Sequence, residues 1–507
     1  MRCSFIFAII LLFGAFSQLS RPNASATNRN SSLHLENGWF VHGDHIVWGY
    51  AQHNGWWRAG MRPNITRNSL GDIRPNRTEN LDQLINNMLR YGYPGFEHNF
   101  GLWYDRRRDA HDMARRDTPA VKAPFLEQPW ARSGKGKAWD GLSKYDLTQF
   151  NTWYFNRVKQ FADLCSKKGA ILFFNFYMQH ALLETNAHYV DFPWRTGNCI
   201  QNTDMPDKNP AANVFYDVSN PERRRLHELY IHKCLDELGA YPNIVFLLSE
   251  EYTGPQSFME FWLKIVGDWE KSNNQDLLVA LNGTKDIIDA LANDERVSVL
   301  DLRYWRRKTD GSIDAPPGGQ EIPGRFASTT DPAKTPAIQF YKQILEYRKR
   351  FPKKGIIHML EANHQQTMAF LMGGGSMLIR YLQYPDNQDP PSYISPADAA
   401  IVQPLYDFIN AKLSKSIYHT VPMDLIVNHK ERNWLLADPN QLYLAYASQS
   451  GTIQLDLSKA SGSYDVHWFN PKSGELKTEN QPAIKGGAIV SFNTPDARDW
   501  LLCLKAN

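Results

Sequence analysis

Short, continuously apolar runs alternate with amphipathic stretches for four-fifths of this chain. The runs His45–Tyr50, Gly95–His98, Ala170–Phe176, Ile244–Ser249, Asp276–Asn282, Val297–Asp301 and Gly355–Leu360 are strand-length and rich in β-branched and aromatic residues. Such runs read as strands buried on both faces. Between them, Leu81–Arg90 carries Leu81, Leu84, Ile85 and Met88 at i, i+3, i+4 and i+7, the stripe of a helix packed on a sheet. Leu147–Cys165, Phe258–Glu270, Asp286–Leu291 and Ala337–Arg350 read as further helices, and Asn220-Pro221 caps and starts another that runs to about Leu238. Met368–Met372, leading into Gly373-Gly374-Gly375, fits an eighth unit. Strand and helix in alternation predict a parallel α/β architecture, here a (β/α)8 TIM barrel. No glycine fingerprint of a dinucleotide fold is present, since Gly373 to Gly375 lack its spacing and acidic follower.

The pattern changes after Leu413. Gln441–Tyr446, Thr452–Leu457, Tyr464–Phe469, Ala488–Phe492 and Trp500–Leu504 alternate between turn residues, as in an antiparallel β-sandwich. It serves as a brace for the barrel or as a sugar-binding module. At the other end, Phe5–Phe13 is an apolar core too short to span a bilayer, preceded by Arg2 and followed by small and polar residues. That is the pattern of a signal peptide. The expected organisation is a signal peptide over 1–20, an extended or disordered segment over 21–36, the barrel over 37–413 and the sandwich over 414–507. A product exported to the periplasm or the cell exterior follows.

Two of the barrel runs end in acid, Ile244–Leu248 in Ser249-Glu250-Glu251 and Gly355–Leu360 in Glu361. A barrel assembles its active site at the C-terminal ends of its strands, so Glu251 and Glu361 are expected to face each other across the mouth. Cleavage of a glycosidic bond requires such a pair, one carboxyl to protonate the leaving oxygen and one to attack or to activate water. Glu251 is the expected donor and Glu361 the expected nucleophile; Glu250 would raise the donor's pKa by repulsion or turn away to pair with Arg. His53, Glu97, His98, Asn175, His180, Asn282, Asp301, Arg303, Tyr304 and Trp305 sit at or near other strand tips, as candidate substrate contacts. Arg195, Arg303 or Arg306 would suit a uronate or sulfate. Two other functions fit the same residues: a lyase in which His98 or Tyr304 takes the C5 proton of a uronate, and a glycan-binding protein without turnover.

Composition removes several classes. Net charge is +3 from 56 basic and 53 acidic residues, which leaves no global field for nucleic acid. The cysteines of the mature chain, Cys165, Cys199, Cys234 and Cys503, have no ligand spacing, and no His-x-x-x-His occurs, so neither a metal nor another cofactor is expected. Aromatics make up 13% of the chain, enough both for core and for stacking on sugar faces. The expected partner is a carbohydrate, neutral or anionic.

Leu147-Thr-Gln-Phe-Asn151 with Tyr154-Phe155, the Gly373-Gly-Gly375 region, and the tail Trp468-Phe-Asn-Pro-Lys-Ser-Gly-Glu475 with Asp499-Trp-Leu-Leu502 carry a resemblance over nearly all the mature chain. The chain resembles the clan of retaining (β/α)8 glycoside hydrolases whose donor follows strand four and whose nucleophile follows strand seven. More closely, it is similar to the apiosidase-like glycosidases of polysaccharide-degrading bacteria, which join such a barrel to a small β domain labelled collagen-binding. The resemblance implies hydrolysis of a plant or algal glycan, with Glu251 and Glu361 in the two roles. That clan ends strand four in Asn-Glu. Glu250 stands in the Asn place, which implies loss of the usual 2-hydroxyl contact and an unusual sugar.

Overall fold

The structure is a computed structural model that describes residues 32–53, 81–98, 128–183, 189–190, 192–250, 252–303, 305–307, 313–314, 335–359, 364–381, 396–478 and 483–507. Within these, the side chains of Gln52, His53, His180, Glu250, Arg306, Arg307, Asp314, Tyr381 and 396–398 lie outside the description. So does the segment expected to be a signal peptide.

Eight parallel strands close into a barrel: β1 (Tyr50–His53), β2 (Gly95–His98), β3 (Ile171–Met178), β4 (Ile244–Glu250), β5 (Leu278–Asn282), β6 (Val299–Asp301), β7 (Gly355–Met359) and β8 (Met377–Tyr381), with β8 pairing β1. Helices α1 (Leu81–Arg90), α2 (Thr152–Lys167), α3 (Pro221–Leu238), α4 (Gln256–Asn273), α5 (Lys285–Leu291), α6 (Ala337–Arg350), α7 (His364–Met372) and α8 (Pro396–Phe408) lie between or after the strands. One alternation runs unbroken through the ladder. Ala51 pairs with Gly95, Gly95 with Ile171, Phe173 with Val245, Val245 with Leu278, Ala280 with Val299, and Ile357 with Met377. These residues or their same-face neighbours form the apolar interior. Their other-face neighbours Phe96, Leu172, Phe246 and Ile356 pack on the helices. A Cβ on Gly95 would sit 2.6 Å from Ala51 Cβ and 2.8 Å from Met377 Sδ, so β1, β2 and β8 meet there only because the side chain is absent.

Three elements differ from the sequence reading. The first barrel strand is Tyr50–His53 rather than His45–Tyr50, because His45–Ile46 pairs antiparallel with Trp39–His42 in an N-terminal hairpin. That hairpin closes the barrel floor, with Leu33, Phe40 and Val47 joining the interior and Phe40 meeting Phe173 edge to face at 6.3 Å. Tyr145–Phe150 is a strand paired with Trp130–Arg132, and the helix starts only after Asn151, whose Oδ1 accepts from Trp153 N at 3.1 Å. Met368–Met372 is the end of α7, and the eighth strand follows the glycines; every residue from Gln366 to Met372 is buried, so no polar face marks the helical period.

The C-terminal part is antiparallel, as expected. Strands β9 (Asn433–Asp438), β10 (Leu442–Ala447), β11 (Ser463–Phe469) and β12 (Trp500–Ala506) form the main sheet in the order β9-β10-β12-β11, and Thr452–Asp456 pairs with Ile489–Asn493 in a second. One face of the main sheet belongs to the barrel's own core. Phe408 of α8 stacks on Phe469 at 4.1 Å, and Tyr341 of α6 stacks on Trp434 at 4.6 Å. The four cysteines among the described residues, Cys165, Cys199, Cys234 and Cys503, are buried and unpaired.

Candidate active site

Above the apolar layers, the inward residues of four neighbouring or facing strands turn polar at once. Glu97 ends β2, Asn175 lies in β3, Asn282 ends β5 and Asp301 ends β6, each on the inner alternation of its strand and at most 1% exposed. Arg303, two residues beyond β6, reaches across the mouth. Its Nη1 donates to Glu97 Oε2 at 2.7 Å and its Nε to Asp301 Oδ2 at 2.7 Å. Both Asp301 and Glu97 side chains in this group are fully buried, as is the guanidinium between them. Buried carboxylates are tolerated only when paired and hydrogen-bonded. Burial pushes Asp301 above the usual carboxylate range, while the Arg303 charge pulls it down.

The two asparagines are oriented by acceptors. Asn175 Nδ2 donates to Glu97 Oε1 at 2.8 Å, and Asn282 Nδ2 donates to the Ser249 carbonyl of β4. Reversing either amide would set oxygen against oxygen, so both Oδ1 atoms face away from these partners, and both are buried without a donor among the described residues. Asn175 and Asn282 flank β4, the strand that leads to Glu250 and Glu251.

Ser249 and Thr253 are tied down by residues that sequence reasoning missed. Gln179, just after β3, donates from its backbone N to Ser249 Oγ at 2.9 Å and from Nε2 to Thr253 Oγ1 at 2.6 Å. Its Oε1 accepts from Thr253 N at 3.0 Å and from Tyr216 OH at 3.1 Å. Ser249 and Thr253, two positions either side of residue 251, are therefore both held by Gln179, the first through its backbone N–H and the second through its side-chain amide. A glutamine after a strand gives no sequence signal of that kind; only the buried setting makes it specific.

Of the expected site residues, Glu97, Asn175, Asn282 and Arg303 come together at the mouth. His98 and Trp305 do not. His98 sits on the helix-facing side of β2, where Nε2 lies 2.6 Å from Tyr154 OH of α2 and the ring stacks on Phe174. Burial drives its pKa down to about 3, against the pull of Glu97, so the ring is neutral. Trp305 donates its indole N–H to Gly283 O at 2.9 Å and meets Tyr347 of α6 edge to face, which fills the space between barrel and helix. Arg303 spends its fork on Glu97 and Asp301, and Arg195 donates to Asp207 O at 3.0 Å. Glu251, Glu361 and Tyr304 lie outside the described residues, as do the side chains of His53, His180, Glu250 and Arg306. Among the described residues, no three His, Cys, Asp or Glu side chains are grouped to hold a metal, and no helix is long and apolar enough to cross a membrane.

Residues 14–387 match the family model described as "Domain of unknown function (DUF6298)". The chain belongs to this family. Residues 422–505 of this DUF6298 protein match a second model, "Putative collagen-binding domain of a collagenase". No curated protein matches the chain. Among solved structures, a glycoside hydrolase family 5 protein from Bacteroides vulgatus ATCC 8482 is similar at 12% identity with a TM-score of 0.56, over 94% of each chain. A second, described as a glycoside hydrolase, matches at 12% identity and a TM-score of 0.55 over 94% of this chain and 97% of its own. At that identity the likeness is one of fold, and it spans both the barrel and the β domain.

Proposed function

We propose that this DUF6298 protein is a glycoside hydrolase in which Glu251 protonates the leaving oxygen and Glu361 attacks the anomeric carbon. The observation that carries the reading is the ladder. Val245 and Leu247 of β4 and Ile357 and Met359 of β7 belong to or pack on the barrel interior. The proposal continues that period of two past Ser249 and Met359 to Glu251 and Glu361, after the fourth and seventh strands of a closed ring. The two solved structures of like fold carry the glycoside hydrolase name, which supports the reading at the level of scaffold.

The polar layer favours a neutral sugar over an anionic one. Arg303 is committed to two carboxylates, and what Asn175 and Asn282 leave unpaired are acceptors, which suit hydroxyl donors and repel carboxylates. The reading is thus an exported, retaining glycosidase trimming a neutral sugar from plant or algal polysaccharide. The test is a panel of defined neutral and acidic oligosaccharides, with the wild type beside Glu251→Gln and Glu361→Gln. Release of a reducing sugar by the wild type, lost in both variants, is the expected result, with the anomer of the first product giving retention. An unsaturated product absorbing in the ultraviolet would establish a lyase instead, and binding without turnover, indifferent to both variants, a glycan-binding protein.

A further inference from the structure

Helix α7 has no solvent-facing side from Gln366 to Met372. A helix buried all round needs cover all round. The barrel supplies part of that cover through α6, and the C-terminal sheet supplies more through β9. At the first turn of the helix, Gln365 Nε2 donates to Ser448 O, just past β10, at 3.4 Å.

The main sheet is patterned for this role. Trp434 and Leu436 of β9, Leu444 and Tyr446 of β10, and Leu501 and Cys503 of β12 belong to one continuous core with the barrel helices. Their alternate neighbours Leu435, Ala445 and Leu502 belong to a smaller core shared with Ile453 and Phe492 of the second sheet. The strand period of two therefore buries the main sheet on both faces, where an antiparallel sheet standing alone would leave one to water. The seam runs on to the barrel floor, where Asn37 Nδ2 donates to Tyr418 O at 3.2 Å and Trp39 Nε1 to Thr420 O at 3.4 Å.

The collagen-binding description attached to residues 422–505 would need a face to bind with. Aromatic rings dominate the contact area of binding surfaces, and every aromatic residue of 414–507 is buried. Among the described residues, the large apolar side chains that this part exposes are Val421, Leu425, Leu476 and Ile489, which lie on four separate elements. Such scatter is ordinary for a surface.

We infer that the C-terminal β domain is the outer wall of the barrel's α6–α8 sector and not a collagen-binding module: α7 keeps its burial only while the main sheet is folded against it. Neither half of this depends on the hydrolase reading.

The test uses the full chain and native-state amide exchange. Leu435→Ala removes volume from the core between the two sheets, which holds no barrel residue. Amides of 368–372 in α7 are nevertheless expected to exchange at least about 30-fold faster, in step with those of β10 and β12 to within about threefold. Ile453→Val is a smaller cut in the same core and should quicken both sets by about 2- to 10-fold, which keeps the test open if Leu435→Ala does not fold. Faster exchange in β10 and β12 with α7 at the wild-type rate would make the β domain a separate module and overturn the inference. Titration of the wild-type chain with a triple-helical Gly-Pro-hydroxyproline peptide is expected to give no saturable heat. Saturable binding tighter than about 100 μM would overturn the inference as well.

Discussion

Replacing Arg303 by Met removes the cation shared by Glu97 and Asp301 and leaves both carboxylates in a setting where their side chains have no exposed surface. Each acid then has two options, to stay charged without its partner or to take up a proton. Protonating a carboxyl of ordinary pKa near 4 at pH 7 costs about 4 kcal/mol, at about 1.4 kcal/mol per pH unit, and this sets a ceiling on the penalty per acid. Breaking a buried pair by removing one partner costs about 3–5 kcal/mol. For two acids sharing one cation the expected loss at pH 7 is thus about 4–8 kcal/mol, comparable with the whole stability of many domains. The sign of the pH dependence follows. In the variant the folded-state pKa of these acids rises above the unfolded value, so the folded form binds more protons and its stability declines as pH rises through that window. Lowering the pH from 7 to 5 should narrow the gap to wild type by about 3 kcal/mol for each acid that protonates. Urea midpoints followed by tryptophan fluorescence at both pH values measure this. Glu97→Gln combined with Arg303→Met should recover at least about 2 kcal/mol at pH 7 relative to Arg303→Met alone. A loss under about 1 kcal/mol at pH 7, or one that does not change with pH, would refute the account of the mouth as a charge-paired layer.

Gly95→Ala places a methyl 2.6 Å from Ala51 Cβ and 2.8 Å from Met377 Sδ, and should cost about 1–3 kcal/mol in thermal unfolding without altering the site chemistry. His98 and His227 are both held near pKa 3 by burial, so stability they support above pH 6.5 should be lost progressively as pH falls toward 3, on the order of 4 kcal/mol each. Their imidazole NMR signals should show no titration between pH 8 and about 5. Trp434→Ala empties the stack on Tyr341 and should cost about 3–5 kcal/mol, with the single calorimetric transition splitting as the β domain comes loose.

The barrel was legible because a strand buried on both faces leaves a mark that no other element shares at that length, provided turn residues bound it. Where that proviso lapsed, the reading slipped. Met368–Met372 is as apolar as any strand here, and only tertiary burial on every side makes it a helix. His45–Ile46 has the composition of a barrel strand but is claimed by the hairpin that plugs the floor. At the mouth, Glu97, Asn175, Asn282 and Arg303 could be found by their place at strand tips. Their pairing could not, since a separation of 206 positions between Glu97 and Arg303 carries no trace of it. His98 sat one place along from Glu97 and so on the opposite face, a distinction that depends on strand register alone. Gln179 gave no signal because its role is defined by what lies across the fold.

The same register dependence makes a sharper test of the site. Ile357 and Met359 belong to or pack on the barrel interior, and the proposed role of Glu361 continues that alternation by one more step. The polar chemistry of the described mouth comes from a separate set of residues, Glu97, Asn175, Asn282, Asp301 and Arg303. This separation explains how a barrel can persist at 12% identity while its chemistry drifts, because the interior asks only for apolar volume and the layer above it can be exchanged. Inserting one alanine after Leu360 would leave every described strand pair of β7 intact yet shift Glu361 by one place, from the inner parity to the outer. Turnover should then fall by at least about 1000-fold, as when the nucleophile is removed, with urea midpoint and barrel amide protection near wild type. The same insertion between Gly486 and Gly487, in a turn of the β domain, is the control and should leave turnover unchanged. Activity that survives the insertion at 360 while Glu361→Gln abolishes it would mean that the acid's direction does not descend from the ladder, and the parity argument for the catalytic pair would fail.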